Sequence, residues 1–209
     1  MHRRTINDLR GGFHIRVLGL GNEILADDAF GILAAREVER AYAGQVEVRC
    51  SSSAGFGLLD DLVGAARLLV VDTIITGSAK PGTVYVFSSD EVDAAPGGSP
   101  HFLGLFEVLE VARRLHLPVP EQTTIIAVEA ADCTTVGGAI HPDVVSAISE
   151  VVERAGQLLG MGPPGRMNRD RVGREAEAGA SARARAPAPP CAANCAGRSQ
   201  VDRQLKGKE

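Results

Sequence analysis

The chain has no tryptophan, and Phe and Tyr together make up only 4% of its 209 positions. Its core must therefore be aliphatic, built from Val, Leu, Ile and Ala, and the 44% hydrophobic content is enough for a sizeable one. No apolar run approaches the roughly 20 residues that span a membrane, so no membrane role is expected. The opening "MHRRTINDLRGGF" is basic but lacks an apolar stretch, so no secretory signal is expected either. Four cysteines (Cys50, Cys133, Cys191 and Cys195) are too scattered to frame disulfides, which fits a reducing cytoplasm. Basic residues are scarce over most of the length. Residues 1–161 hold 12 Lys and Arg against 21 Asp and Glu, whereas residues 162–209 hold 10 against 5. An acidic body excludes nucleic acid as the main partner and suits a cation or a basic peptide.

What is present is an alternation of strand and helix patterns. Apolar runs at 13–21, 46–51, 67–75, 82–89 and 123–130 read as five strands, with 67–75 ("RLLVVDTII") the most apolar and hence central. Helices are expected over 27–43, where Phe30, Leu33, Ala34, Val38 and Ala41 share a face, and over 54–65, short and broken by Gly. Another follows over 99–117, with Ser99 as N-cap, Pro100 at N1 and a stripe of Phe102, Leu105, Phe106 and Leu109, and a last one over 141–159. Strand–helix–strand units favour a parallel sheet covered on both faces. The link from 75 to 82 is too short for a helical crossover, so strands 67–75 and 82–89 should run antiparallel. The expected fold class is α/β: a three-layer α/β/α sandwich around a twisted, mostly parallel, mixed five-stranded sheet. Residues 13–161 form this domain and 1–12 a flexible lead. Residues 162–209, rich in Ala, Arg, Gly and Pro, bury too little apolar surface to offset ordering entropy and are expected to be disordered.

The stretch "VLGLGNEILADDAFG" (17–31) carries the first chemical signal. Strand, glycine turn and helix suggest a dinucleotide fingerprint, with Gly19 and Gly21 as its first two glycines. Ile24 stands where the third is needed. Asp27 and Asp28 would repel a pyrophosphate at the helix N-terminus: two unit charges about 4 Å apart cost roughly 1 to 4 kcal/mol at effective dielectrics of 80 to 20. Arg49 and Ser51, at the end of the second strand, would suit a 2′-phosphate and keep the nucleotide reading in play. One of the two acids is expected to cap the helix, leaving the other free for chemistry.

The spare acid lies at the carboxyl end of a strand, where open α/β sheets place their sites. Asp72, ending "LLVVD", belongs on the same edge, and the loop 90–98 must return His101 to it. Asp28, Asp72 and His101 are two carboxylates and an imidazole, a set that suits a borderline divalent cation such as nickel or zinc.

Those motifs, with "LLVVDTIITGSAKPGTV" (68–84) and "SPHFLGLFEVL" (99–109), resemble the nickel–iron hydrogenase maturation proteases over roughly residues 14–160. Gly19, Gly21, Asn22, Asp27, Asp28 and Gly31 match the family's Gly-x-Gly-Asn turn, acidic pair and following glycine. Its three nickel-contacting positions fall on Asp28, Asp72 and His101. The resemblance implies a cytoplasmic endopeptidase, acting as a monomer, that removes the C-terminal extension of a nickel-loaded hydrogenase large-subunit precursor. Nickel would arrive with that precursor and not be tightly held beforehand. It would either polarise the scissile carbonyl and activate water, or serve as a recognition tag while a carboxylate acts as base, making the enzyme aspartic-type. Where relatives have Asp-Gly-Gly-Thr or similar after the second strand, this chain has "CSSSAG" (50–55), a departure expected to bear on partner choice. It keeps a non-catalytic nickel-site checking protein as an alternative. The Gly-x-x-Pro element after the last strand is replaced by "AVEAADCTTVGG" (127–138), whose Glu129 and Asp132 are further candidates for the cleft.

Blander roles are expected elsewhere. Cys50 and Cys133 read as buried, inert thiols at strand ends, with a Cys133 nucleophile as the minor alternative. Cys191 and Cys195 lack companion ligands. His116 reads as a favourable charge at a helix C-terminus, His141 as the start of the last helix, and His14 as lying in or beside the first strand.

Overall fold

Five stretches of β-branched and aliphatic sequence pair into one sheet: β1 (Ile15–Leu20), β2 (Glu47–Ser51), β3 (Arg67–Ile74), β4 (Val84–Ser88) and β5 (Gln122–Glu129), in the order β2-β1-β3-β5-β4. The computed structural model describes residues 15–88, 102–163 and 174. The expected flexible lead, nearly all of the expected tail, His14, Ser99, Pro100, His101, Cys191 and Cys195 fall outside them. β1, β2, β3 and β5 are parallel and β4 is antiparallel to β5, so the sheet is mixed and β3 is central, as expected.

The placement of β4 needs a correction. It runs opposite to β3, but the two are not neighbours, because β5 lies between them. The short link after β3 passes over the carboxyl end of β5 instead of turning back beside β3. Gly82 donates its N–H to Glu129 O at 2.8 Å, and Glu129 donates its own to Thr83 O at 2.9 Å. Adjacent strands are about 4.8 Å apart, so a link of eight to ten residues easily steps over one of them.

Strand alternation divides the aliphatic residues between two cores. Val17, Leu69, Val71, Ile126 and Val128 pack with α1 (Phe30–Ala41), α4 (Pro142–Ser146) and α5 (Ile148–Leu159). Leu18, Leu20, Leu68, Val70, Ile74, Ile125 and Ala127 pack on the other face with the short α2 (Leu59–Leu62) and with α3 (Phe102–Arg114). Each fully buried Leu, Ile or Val contributes about 1.5–3 kcal/mol, so two aliphatic layers hold the sandwich without tryptophan.

Each predicted helix is present, with its ends shifted by local chemistry. The expected helix at 27–43 opens as a 3-10 turn over Asp27–Ala29 before α1, whose Phe30, Leu33, Ala34 and Val38 are buried as the spacing required. The helix at 54–65 is a 3-10 turn, Gly55–Leu58, followed by α2. The helix at 99–117 is described from Phe102 and ends at Arg114. His116 is not a simple terminal charge. It takes φ 57°, donates its N–H to Arg113 O, and lets Leu117 reach back to Ala112 O, so it is the left-handed residue of a Schellman stop where glycine is usual. His141 caps the last helical segment as expected, its Nδ1 accepting Asp143 N–H at 3.2 Å.

Candidate active site

The turn after β1 uses its main-chain amides within the protein. Gly21 N–H donates to Ser51 O at 3.2 Å, Asn22 N–H to Asp28 O at 3.2 Å, and Ile24 N–H to Asn22 Oδ1 at 3.1 Å. A phosphate cradle needs such N–H groups aimed at the ligand. Arg49 is likewise committed, to Glu47 at 2.9 Å and to Asp60 O at 2.7 Å. Ser51 is buried and accepts Ser53 N–H at 3.3 Å. The nucleotide reading therefore loses both its cradle and its 2′-phosphate partners.

The two acids of the pair have separate tasks, and neither caps the helix through its side chain. Asp27, only 1% exposed, reaches across to the segment after β5. Its Oδ2 accepts Ala131 N–H at 2.7 Å and Asp132 N–H at 2.9 Å, and its Oδ1 accepts His141 N–H at 2.6 Å. The expected helix cap is instead a staple between chain segments over a hundred residues apart. Charge-assisted bonds of this kind are roughly twice as strong as neutral ones.

Asp28 and Asp72 both lie at the carboxyl edge of the sheet. Asp28 lies in the 3-10 turn at 7% exposure, and Asp72 near the end of β3 at 0%. Gly31 makes the approach possible: a Cβ there would stand 2.1 Å from Leu20 O, 2.6 Å from Val71 O and 3.2 Å from Asp72 Cα. Only glycine lets the start of α1 come so close to the ends of β1 and β3. Between the acids stands Thr73, which the sequence reading passed over. Its main-chain N–H donates to Asp72 Oδ1 at 2.7 Å, and its hydroxyl donates to Asp28 Oδ1 at 3.5 Å and lies 3.6 Å from Cys133 Sγ. The only signal for it in the sequence is a β-branched hydroxyl directly after a strand-terminal acid.

His101 lies outside the described residues. The helix that follows it begins at the same sheet edge: a Cβ on Gly104 of α3 would meet Gly55 Cα at 2.4 Å, in the turn just beyond β2. Strand alternation puts Asp72 on this α3 side, with Leu68, Val70 and Ile74. Among the described residues no three His, Cys, Asp or Glu side chains form a metal cage.

The further candidates divide. Glu129 is buried and committed: it accepts Thr76 N–H at 2.8 Å, Thr76 Oγ1–H at 2.7 Å, Gly77 N–H at 3.0 Å and Tyr85 O–H at 3.0 Å. Burial alone would raise its carboxyl, but these four donors hold it below its ordinary value. Asp132 turns back on its own loop, accepting from Thr134 and Thr135, whose hydrogen bonds hold it well below the carboxylate range. Both carboxylates are thus engaged by neighbouring donors. Cys133 is half-buried and Cys50 is exposed, which corrects the expectation of two buried thiols. Burial and the charges of Asp28, Asp27 and Asp72 push the Cys133 thiol up to about 12, against a smaller opposing effect of Thr73. A thiol this hard to ionise makes a poor nucleophile.

A mixed five-stranded sheet between two helical layers has named counterparts. The family model described as "Hydrogenase maturation protease" matches residues 32–157. The chain belongs to the hydrogenase maturation protease family. It is therefore a peptidase, and the matched span takes in Asp72 and His101 while starting just beyond Asp28. The chain is 35% identical over 118 residues to the hydrogenase 2 maturation protease of Escherichia coli K12, covering 54% of this chain and 71% of that one. It is 33% identical over 150 residues to the hydrogenase expression/formation protein HupD of Bradyrhizobium diazoefficiens, covering 69% and 77%. In structure it resembles the hydrogenase maturating endopeptidase HybD of Escherichia coli, with TM-score 0.62, 30% identity and coverage of 72% of this chain and 96% of that one. The five-stranded α/β/α sandwich of this maturation protease is thus the architecture of its relatives.

Proposed function

We propose that this maturation protease removes the C-terminal extension of a nickel-loaded hydrogenase large-subunit precursor by a single cut. The observation that carries the reading is the pair of buried carboxylates, Asp28 and Asp72, joined through Thr73 at the carboxyl edge of the sheet. Asp28 and Asp72, with His101 as the third group on the strength of the family motif, contact the nickel that the precursor brings. They set the scissile peptide beside it. Nickel so held supplies positive charge for the developing oxyanion. A carboxylate of the pair takes a proton from the attacking water and returns it to the leaving amine, which makes the enzyme aspartic-type. Cys133 takes no part as nucleophile.

The reaction belongs in the cytoplasm, in keeping with the free thiols of Cys50 and Cys133. Among the described residues no helix is long and apolar enough to cross a membrane. The protease works as a monomer that docks one precursor transiently, and the "CSSSAG" segment takes part in choosing it. Mass spectrometry of precursor incubated with the protein tests the reading. The extension is lost from nickel-loaded precursor and kept on nickel-free precursor. Binding without shortening would instead support the checking-protein alternative.

A further inference from the structure

Among the described residues five large apolar side chains stand 45% to 72% exposed: Ile24, Phe56, Ile75, Leu115 and Val136. Singly, such exposure is ordinary. Their distribution is not. Ile24, Phe56, Ile75 and Val136 follow β1, β2, β3 and β5, the four parallel strands, so all four stand on loops of the carboxyl edge. The fifth, Leu115, follows α3. Ile24 comes four residues before Asp28, and Ile75 three after Asp72. Gly137 donates its N–H to Ile24 O at 2.8 Å, and a Leu25–Val136 bridge holds Val136 beside the same turn. Gly104 lets the start of α3 lie against Gly55, next to Phe56 in the chain. Gly, Asn, Asp and Ser usually fill such turns, and none of the four apolar side chains belongs to either core.

Exposed apolar surface gains by burial against other apolar surface, and a wholly polar segment would gain nothing from these four residues. Four partly covered side chains fall short of the roughly 800 Å² per partner that a standard stable interface buries, which speaks for a segment of chain held transiently and against a lasting dimer. Four strands about 4.8 Å apart give an edge about 14 Å wide, the length of roughly four to five residues of extended chain. We propose that this apolar rim docks the C-terminal segment of the precursor through apolar side chains flanking the scissile peptide. The protease then recognises the polypeptide as well as the metal it carries. This rests on the reading that the cut is made at this edge. Contacts made equally before and during reaction lower KM and leave kcat unchanged.

The test measures kcat and KM for nickel-loaded precursor with Ile24→Ser, Phe56→Ser and Val136→Ser, alone and combined, in the full chain. Leu115→Ser is the control for an exposed apolar residue elsewhere, and Asp72→Asn the control for the site. Each rim variant should raise KM about threefold to thirtyfold with kcat within about threefold of the wild type. The triple variant should raise it by at least about thirtyfold, and Leu115→Ser should match the wild type. Should a serine variant not fold, Val136→Thr keeps the shape and adds only the hydroxyl. Rim variants with the wild-type KM, a loss confined to kcat, or an equal rise in KM with Leu115→Ser would overturn the docking role. The cleavage reading still stands in that case if Asp72→Asn abolishes cleavage. If the wild type never shortens the precursor, or Asp72→Asn cleaves as the wild type does, the cleavage reading falls and the Kd for precursor decides the docking role. A Kd weakened in the rim variants alone upholds it, and an unchanged Kd overturns it. A wild-type dimer in sedimentation that Phe56→Ser splits would give the rim to a second copy of the chain and overturn it too.

Discussion

Asp27 accepts the main-chain N–H of His141 at 2.6 Å, tying the start of the first helical segment to the cap of the last. With the amides of Ala131 and Asp132 it closes one ring of backbone around the carboxyl edge. Its neighbour Asp28 faces Thr73 instead. The proposed function gives Asp28 the chemical task and leaves Asp27 a structural one, which predicts opposite phenotypes. Asp27→Ala leaves three amides without their acceptor and should cost about 3 kcal/mol or more, lowering Tm by roughly 6–12 °C. Asp28→Asn should leave Tm nearly unchanged and reduce cleavage by at least about a hundredfold. Thermal melts and cleavage rates of the two variants, read side by side, check this; equal loss of stability in both would contradict it.

Gly31→Ala should be among the most damaging single-methyl changes in the chain. The added Cβ would stand 2.1 Å from Leu20 O and 2.6 Å from Val71 O, main-chain atoms of the neighbouring strands β1 and β3. Neither can yield without moving the sheet edge, so a loss of about 3 kcal/mol is expected. Urea unfolding measures it, and a loss below about 1 kcal/mol would mean that α1 can back away from the sheet.

Glu129 gives the fold an acid dependence with a fixed sign. Its folded carboxyl lies below the ordinary value of 4.5, because four donors outweigh the effect of burial. A depressed folded pKa stabilises above the unfolded value, and that stabilisation is lost as the pH falls through the folded one. Wild type minus Glu129→Gln stability should be constant from pH 7 to about 5.5 and shrink as the pH drops below 4.5. A difference that grows in acid would contradict this.

Cys133→Ser should keep cleavage within about threefold of the wild type, because serine can still donate to Thr73 and no thiolate is required. Loss of cleavage with an unchanged melting temperature would return Cys133 to the list of nucleophiles.

Much of this molecule was legible in its sequence, for identifiable reasons. The aliphatic runs at β1, β3 and β5 are long enough to be buried on both faces, and that pattern has few other readings. Position along the chain put Asp28 and Asp72 at one edge, since strands that run parallel end together. Three features were not legible. The insertion of β5 between β3 and β4 depends on long-range pairing that a short link neither requires nor forbids. The task of Asp27 depends on amides over a hundred residues away. The exposure of Cys50, at the end of the edge strand β2, reflects its place in the sheet and not its residue type. Thr73 went unread for a similar reason: a threonine ending a strand is ordinary until the acid facing it is known.

Asp28 and Asp72 are proposed as the reaction site of this protease. The most direct measurement is cleavage of the nickel-loaded large-subunit precursor by wild type and by Asp72→Asn, followed by mass spectrometry of the product. Loss of the C-terminal extension is expected with the wild type and at least a hundredfold slower loss with the variant, at matched melting temperature. An Asp72→Asn protein that removes the extension at the wild-type rate would contradict it.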